Sequence, residues 1–177
     1  MSFQVEKVLQ MSLFEKQKAT LKLQELDVND IIVNVANTFQ IKVEKFGGTI
    51  DIDLSADKTE IKADEMHFTN VLFNLLDNAL KYRREDVSLE LMIRTWNQNN
   101  KIYISIEDNG IGMKKDDVKR IFERFFRVST GNRHDVKGFG LGLAYVKKIV
   151  DEHKGTIKVE SELGVGTKFI ISLFNIK

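Results

Sequence analysis

Two pairs of alternating segments set the strongest limit on how this chain can fold. Residues 88–95 and 102–108 alternate apolar and polar side chains around the turn Asn97-Gln98-Asn99-Asn100, and residues 156–161 and 167–174 do so around Glu162-Leu163-Gly164-Val165-Gly166. Alternation puts one row of side chains on each face of a strand, and a short turn between two such runs closes an antiparallel hairpin. Each hairpin then carries an apolar face that another layer must cover. In the first hairpin Ile102, Ile104, Ile106 and Asp108 share one parity, so a carboxylate follows the isoleucines onto the buried face. An acid buried there without a partner costs several kcal/mol if it stays charged. Asp108 either caps the turn that follows it or waits for a donor on a ligand.

The covering layer is legible as helical periodicity. Asn29 or Asp30 is placed to cap a helix with Ile31, Ile32, Val35, Ala36 and Phe39 on its apolar stripe, stopped by Gly47-Gly48. A short strand around Leu21, Leu23 and Leu26-Asp27 precedes it, and residues 49–54 and 60–63 read as two strands joined by a polar turn. Asp64 then caps a helix that runs through Asn-Val-Leu-Phe-Asn-Leu-Leu-Asp-Asn-Ala-Leu-Lys-Tyr, residues 70–82. At about 100° per residue, Asn70, Asn74, Asn78 and Lys81 share a stripe opposite Val71, Leu72, Leu75, Leu76 and Ala79. Asparagine is a mediocre helix former, so this stripe is either ordinary solvated surface or a face turned to a ligand. A last helix carries Leu143, Val146, Ile149 and Val150 and ends at Gly155. Hairpins interleaved with helices give an α+β fold: a two-layer α/β sandwich, with three main helices on one face of a mixed, mostly antiparallel sheet.

Charge and composition exclude several function classes. The 27 basic and 26 acidic residues among 177 nearly cancel, so no long-range field draws the chain to nucleic acid or an anionic membrane. The absence of cysteine removes disulfides, thiolate metal sites and thiol nucleophiles. No apolar run approaches the roughly 20 residues of a membrane span, so no direct membrane contact is expected here and a cytoplasmic location is. A hydrophobic content of 42% suits one domain over residues 21–177. Ahead of it, residues 3–14 place Val5, Val8, Leu9 and Ser12 on a helical stripe that begins abruptly.

The remaining signals lie in loops. Asp108-Asn109-Gly110-Ile111-Gly112 permits a left-handed turn or a close approach to the backbone. Residues 114–126 read as one or two short helical turns, with phenylalanines in the core and Arg120, Arg124 and Arg127 between them. Residues 128–137 have no apolar periodicity and read as a flexible loop, ending at Gly138-Phe139-Gly140-Leu141-Gly142-Leu143. A glycine-rich turn opening a helix offers backbone N–H groups and partial positive charge to phosphate oxygens. The spacing is neither the dinucleotide fingerprint nor the P-loop.

Taken together, residues 74–82, 108–112, 121–127, 138–143 and 164–167 resemble, in order and spacing, the N box, first glycine box, F box, second glycine box and final Gly-x-Gly-Thr of sensor histidine kinases. The resemblance implies an ATP-binding α/β sandwich shared with gyrase-type and chaperone ATPases, with a mobile lid formed by residues 128–137. It implies that Asp108 accepts the adenine amino group, that Asn78 ligates Mg²⁺, and that Asn74 supports metal and phosphates. Lys81 is implied to reach phosphate and Tyr82 to lie against the base. Gly110 and Gly112 are implied to let the nucleotide approach; Gly138, Gly140, Leu141 and Gly142 to seat the phosphates, with Thr167 as a further contact. Arg124 and Arg127 are implied to meet the γ-phosphate or to dock the acceptor domain.

The departures are equally specific. The family phosphorylates a histidine on a helical dimerisation domain, usually in a motif containing proline, and this chain has no proline. His67, His134 and His153 do not fit that motif; His153 ends a helix, where the dipole favours a cation. Residues 1–20 resemble the end of the second dimerisation helix and its linker. The implied partners are therefore a separate phosphoacceptor histidine domain and a response regulator receiver domain. Arg83-Arg84 stands where the family usually has a small polar residue. An anti-sigma-type serine kinase and a nucleotide-sensing module without phosphoryl transfer are the alternatives on the same fold.

Overall fold

The computed structural model describes residues 21–128 and 140–176. The expected helix in residues 1–20, His134, Gly138 and all but the first residue of the expected lid lie outside them. The described elements are β1 (Gln24–Asp27), α1 (Val28–Glu44), β2 (Thr49–Leu54), β3 (Glu60–Ala63), α2 (Glu65–Lys81), β4 (Glu90–Gln98), β5 (Lys101–Asp108), α3 (Lys115–Val118), α4 (Gly142–Glu152), β6 (Thr156–Glu162) and β7 (Gly166–Phe174). Five strands form one sheet in the order β2-β4-β5-β7-β6, antiparallel except for the parallel pair β2–β4.

Both expected hairpins are present. The β4–β5 strands run longer than their alternation suggested, and the turn shrinks to Asn99-Asn100, with φ of 50° and 59°. Left-handed values at both central residues match the twist of the flanking strands, and asparagine tolerates them better than most side chains. The strands over residues 49–54 and 60–63 are also present, but they do not pair with each other. β2 joins β4 in parallel, and β3 pairs with β1 in a separate antiparallel ribbon. Periodicity names a strand; its partner is set by tertiary packing that alternation does not encode.

The core lies between the sheet and the helices α1, α2 and α4. Leu91, Ile93, Ile102, Ile104, Ile106, Phe169, Ile171 and Leu173 face it from the sheet, and Ile32, Val35, Phe39, Val71, Leu72, Leu75, Leu76, Val146 and Ile149 from the helices, all buried. This is the expected sandwich. Helix ends differ in detail from the expectation. α1 is capped not by Asn29 or Asp30 but by Asp27, which accepts from the backbone N–H groups of both. At the other end of the fold the left-handed residue closing α4 is Lys154 (φ 57°), not Gly155. Gly155 is needed for a different reason: a Cβ there would stand 2.7 Å from Ser172 O and from the Leu173 side chain.

Candidate functional site

The asparagine helix α2 begins at Asp64, whose carboxylate accepts from His67 N–H at 3.0 Å, as its sequence position requires. The polar stripe then meets three different surroundings. Asn70 hydrogen-bonds the Tyr145 hydroxyl of α4, which also lies 2.9 Å from His67 Nδ1. Burial pushes Tyr145 up to about 12 and holds His67 below the usual histidine range, so both stay neutral near pH 7. Asn74 donates to Asn70 O at 2.7 Å and faces the start of α4, where a Cβ on Gly142 would come within 3.0 Å of its Oδ1. Asn78 opens onto a cavity.

That cavity is lined by Asn78, Tyr82, Asp108, Ile111, Gly112, Met113, Ile121, Phe126, Arg127, Val128, Leu143, Thr167 and Phe169. Its walls are mostly apolar, and among the described residues its one carboxylate is Asp108, at the end of β5 where the row of isoleucines stops. Burial raises Asp108 from its ordinary 3.8 to about 6, partly opposed by the Gly110 and Thr167 backbone N–H groups that donate to it. The Gly110 bond measures 2.8 Å. The capping reading of Asp108 is realised, and the same residue lines the cavity. An ionised acid at the floor of an apolar slot suits a flat heterocycle carrying an amino group.

The first glycine box is shaped by the chain itself. A Cβ on Gly110 would lie 2.6 Å from Tyr82 O, and one on Gly112, at φ +63°, would collide with Glu162 O. Asn109 accepts from Glu90 N–H and donates to Ser88 O, both at 2.9 Å, tying the box to the start of β4. In the second box Gly140 (φ +70°) accepts from Phe125 N–H at 3.0 Å. Leu141 precedes α4 and makes no side-chain cap hydrogen bond, and the first N–H groups of such a helix end suit anionic oxygens.

Not every expected residue converges. Arg127 lines the cavity, but Arg124 lies apart from it, beside Ala144, Lys147, Lys148 and Asp151 on the outer side of α4. Lys81 is engaged by Asp77 at 2.6 Å rather than turned to the cavity. His153 ends α4, as its place in the sequence suggests, and is held there by two hydrogen bonds. Its Nδ1 lies 2.7 Å from Ile149 O, and its Nε2 accepts from Asp64 N–H at 2.9 Å. A carbonyl only accepts, so Nδ1–H is the donor to Ile149 O.

Arg83-Arg84, unexplained by the sequence, acquires structural roles. Arg83 donates to Leu80 O at 2.8 Å and stacks 3.7 Å from the Phe46 ring centre, closing the end of α2. Arg84 donates to Gly164 O at 2.9 Å while its fork holds Asp86. Gly164 N–H donates to Ile111 O and Ile111 N–H to Tyr82 O, at 2.7 and 2.9 Å. These bonds close a ring through Tyr82, Ile111, Gly164 and Arg84, two members of which, Tyr82 and Ile111, line the cavity. Among the described residues no group of three or more His, Cys, Asp or Glu side chains could hold a metal ion, so a divalent cation here would depend on oxygens brought by a ligand.

An α/β sandwich with a carboxylate-floored slot between an asparagine helix and glycine turns defines a nucleotide-binding class. The family described as "Histidine kinase-, DNA gyrase B-, and HSP90-like ATPase" matches residues 63–175. The chain belongs to this family, and within it to the ATP-binding domains of sensor histidine kinases. It is 63% identical over 171 residues to Sensor protein RprX of Bacteroides fragilis (strain YCH46), covering 97% of this chain and 33% of that protein. It is 34% identical over 169 residues to Sensor protein kinase WalK of Staphylococcus aureus, covering 96% and 40% respectively. The chain thus spans well under half the length of either relative. Among solved structures, the catalytic domain of histidine kinase ThkA superposes with a TM-score of 0.72 at 28% identity, over 88% of this chain and 97% of that one. Full-length ShkA in complex with AMPPNP gives 0.76 at 28%, over 89% and 32%. No helix of the described residues is long and apolar enough to cross a membrane.

Proposed function

We propose that this domain binds Mg²⁺-ATP and delivers the γ-phosphoryl group to a histidine on a helical dimerisation domain, as one step of two-component signalling that continues to a response regulator receiver domain. The observation that carries the reading is Asp108, an acceptor held at the floor of an apolar slot that also contains Asn78, Tyr82, Thr167 and Arg127. Asp108 takes the adenine amino group and Tyr82 lies against the base. Asn78 offers its amide oxygen to Mg²⁺, whose other ligands are triphosphate oxygens and water. Gly140, Leu141 and Gly142 present the uncapped start of α4 to the phosphates. Gly138, from the same glycine-rich stretch of the sequence, is assigned the same role. Arg127 meets the γ-phosphate from the cavity wall, whereas the position of Arg124 suits docking of the acceptor domain. Lys81 reaches phosphate by exchanging Asp77 for it.

The N box favours transfer over hydrolysis. Gyrase-type relatives place a glutamate one helical turn before the metal-binding asparagine, where it serves as base toward water. Here that position is Asn74, whose neutral amide orients a water but takes no proton. General-base help contributes about 10²–10⁴-fold, so bound ATP should persist until an imidazole nucleophile is presented. The test is labelled ATP with a separately produced histidine-bearing domain. Slow turnover alone and label on the added histidine are expected; rapid turnover by the domain alone, unchanged by the acceptor, would favour an ATPase.

A further inference from the structure

The start of α2 meets the end of α4 where Asp64 N–H donates to His153 Nε2 at 2.9 Å. The middle of α2 meets the start of α4 where Asn74 Oδ1 stands 3.0 Å from the place a Cβ on Gly142 would take. The two helices therefore run antiparallel. Between these ends the Tyr145 hydroxyl lies 2.9 Å from His67 Nδ1 and hydrogen-bonds the Asn70 side chain, with the Tyr145 and His67 ring centres 6.2 Å apart. A hydroxyl donates once and accepts besides, so it serves both neighbours together. Asn70 O in turn accepts from Asn74 Nδ2 at 2.7 Å, which joins the tyrosine contact to the residue that faces Gly142.

Apolar packing alone does not fix how far α4 is slid along α2. Valine, leucine and isoleucine ridges repeat along a helix and can interlock in more than one position, whereas a hydrogen bond keeps its length to within about half an ångström. Selecting a register is the best-attested task of polar contacts set into a helix interface. The register matters here because Asn78 follows Asn74 by about one helical turn on the same stripe and lines the cavity, while Gly142 opens α4. A slide of α4 would carry its first N–H groups away from Asn78 and leave Asp108 and Thr167, which belong to β5 and β7, where they stand. We propose that Tyr145 is a positioning residue, which through His67 and Asn70 fixes α4 along α2 so that the first turn of α4 and Asn78 face the same phosphates. The inference rests on the nucleotide-binding reading above and concerns its phosphate end alone; Tyr145 does not itself line the cavity.

The test is calorimetric titration of the whole chain with Mg²⁺-ATP and with adenosine, which share the base and differ in the phosphates, at a temperature well below the unfolding of every variant. Tyr145→Phe removes only the hydroxyl, and His67→Ala removes one of its partners. Either should weaken ATP about three- to ten-fold, the worth of one neutral hydrogen bond, and leave adenosine within about two-fold. His67→Asn puts a polar side-chain atom where Nδ1 stood and should keep most of the parent's ratio of the two affinities, which a loss of packing alone would not predict. A parent that binds ATP, with the ratio unchanged in both Tyr145→Phe and His67→Ala, would overturn the positioning role alone. A parent that binds neither ligand would overturn the nucleotide reading and the positioning role with it.

Discussion

Replacing Asp108 by asparagine should make the free domain more stable and the binding site worse. The carboxyl is raised from 3.8 to about 6 by burial, so near neutral pH the fold holds an ionised acid in a poor environment. A group whose folded pKa exceeds its unfolded one contributes stability fully below the unfolded value, here 3.8, and loses that contribution as pH rises through about 6. The gap corresponds to about 3 kcal/mol, an upper figure because local relaxation and water entry reduce it. Asp108→Asn preserves the acceptor for Gly110 N–H, now 2.8 Å from Oδ1, and removes the charge. The variant should therefore gain about 1–3 kcal/mol over the parent at pH 7.5, or some 2–4 °C in Tm per kcal/mol at this size, and little at pH 4. Denaturant titrations of both proteins at the two pH values read this directly, and other carboxylates cancel in the difference. ATP affinity should fall about ten- to a hundred-fold, since a bond to a charged acceptor is lost. A variant no more stable than the parent at pH 7.5, or one that binds ATP equally well, would refute the assignment of a destabilised acceptor.

Three further outcomes follow from the same geometry. Asn78→Ala should abolish the dependence of ATP affinity on Mg²⁺ while leaving metal-free nucleotide binding within about three-fold, measured by titration with and without the cation. Gly112→Ala, at φ +63° against Glu162 O, should cost several kcal/mol and show as a large loss of folded protein in thermal unfolding. Arg84→Ala should speed hydrogen exchange at the Gly164 and Ile111 amides more than elsewhere in the sheet, and Arg84→Lys should not restore it, because one ammonium cannot hold Asp86 as a fork and Gly164 O together.

How much of this was legible depended on whether the signal was local. The hairpins, the cap at Asp64 and the phase of Asp108 are properties of neighbouring residues, and the structure places them as read. The partnership of β2 with β4 joins Thr49 to Glu90 in parallel across an intervening ribbon and helix, and nothing in residues 49–54 specifies it. The wall of the cavity was hidden for the same reason: Ile111, Met113, Ile121, Leu143 and Phe169 look like ordinary core and meet only in three dimensions. The stripe of asparagines was read as one face, yet Asn70 serves the α2–α4 contact through Tyr145 and only Asn78 lines the cavity. A polar aromatic three residues after Gly142, in the otherwise apolar first half of the helix, is the available clue. The position of His153 at a helix end is legible, but its hydrogen bonds to Ile149 O and from Asp64 N–H, 89 residues away, are not.

The glycines of the first box read as places where a ligand approaches the backbone, and the structure gives them, together with Gly166, a prior task. Gly110 packs on Tyr82 O, Gly112 on Glu162 O and Gly166 on Asp108 O, so the end of α2, the end of β5 and the β6–β7 turn are locked against one another without side chains between them. The hydrogen-bonded ring through Tyr82, Ile111, Gly164 and Arg84 closes the same junction. A buried carboxylate persists only where its surroundings cannot relax to cover it or draw it away, because relaxation would recover the free energy its burial costs. The close contacts of these glycines supply that resistance. Stability is thus withheld at Asp108 and maintained by packing a few ångströms away, and the acceptor stays aimed into the cavity because its neighbours leave it no other position.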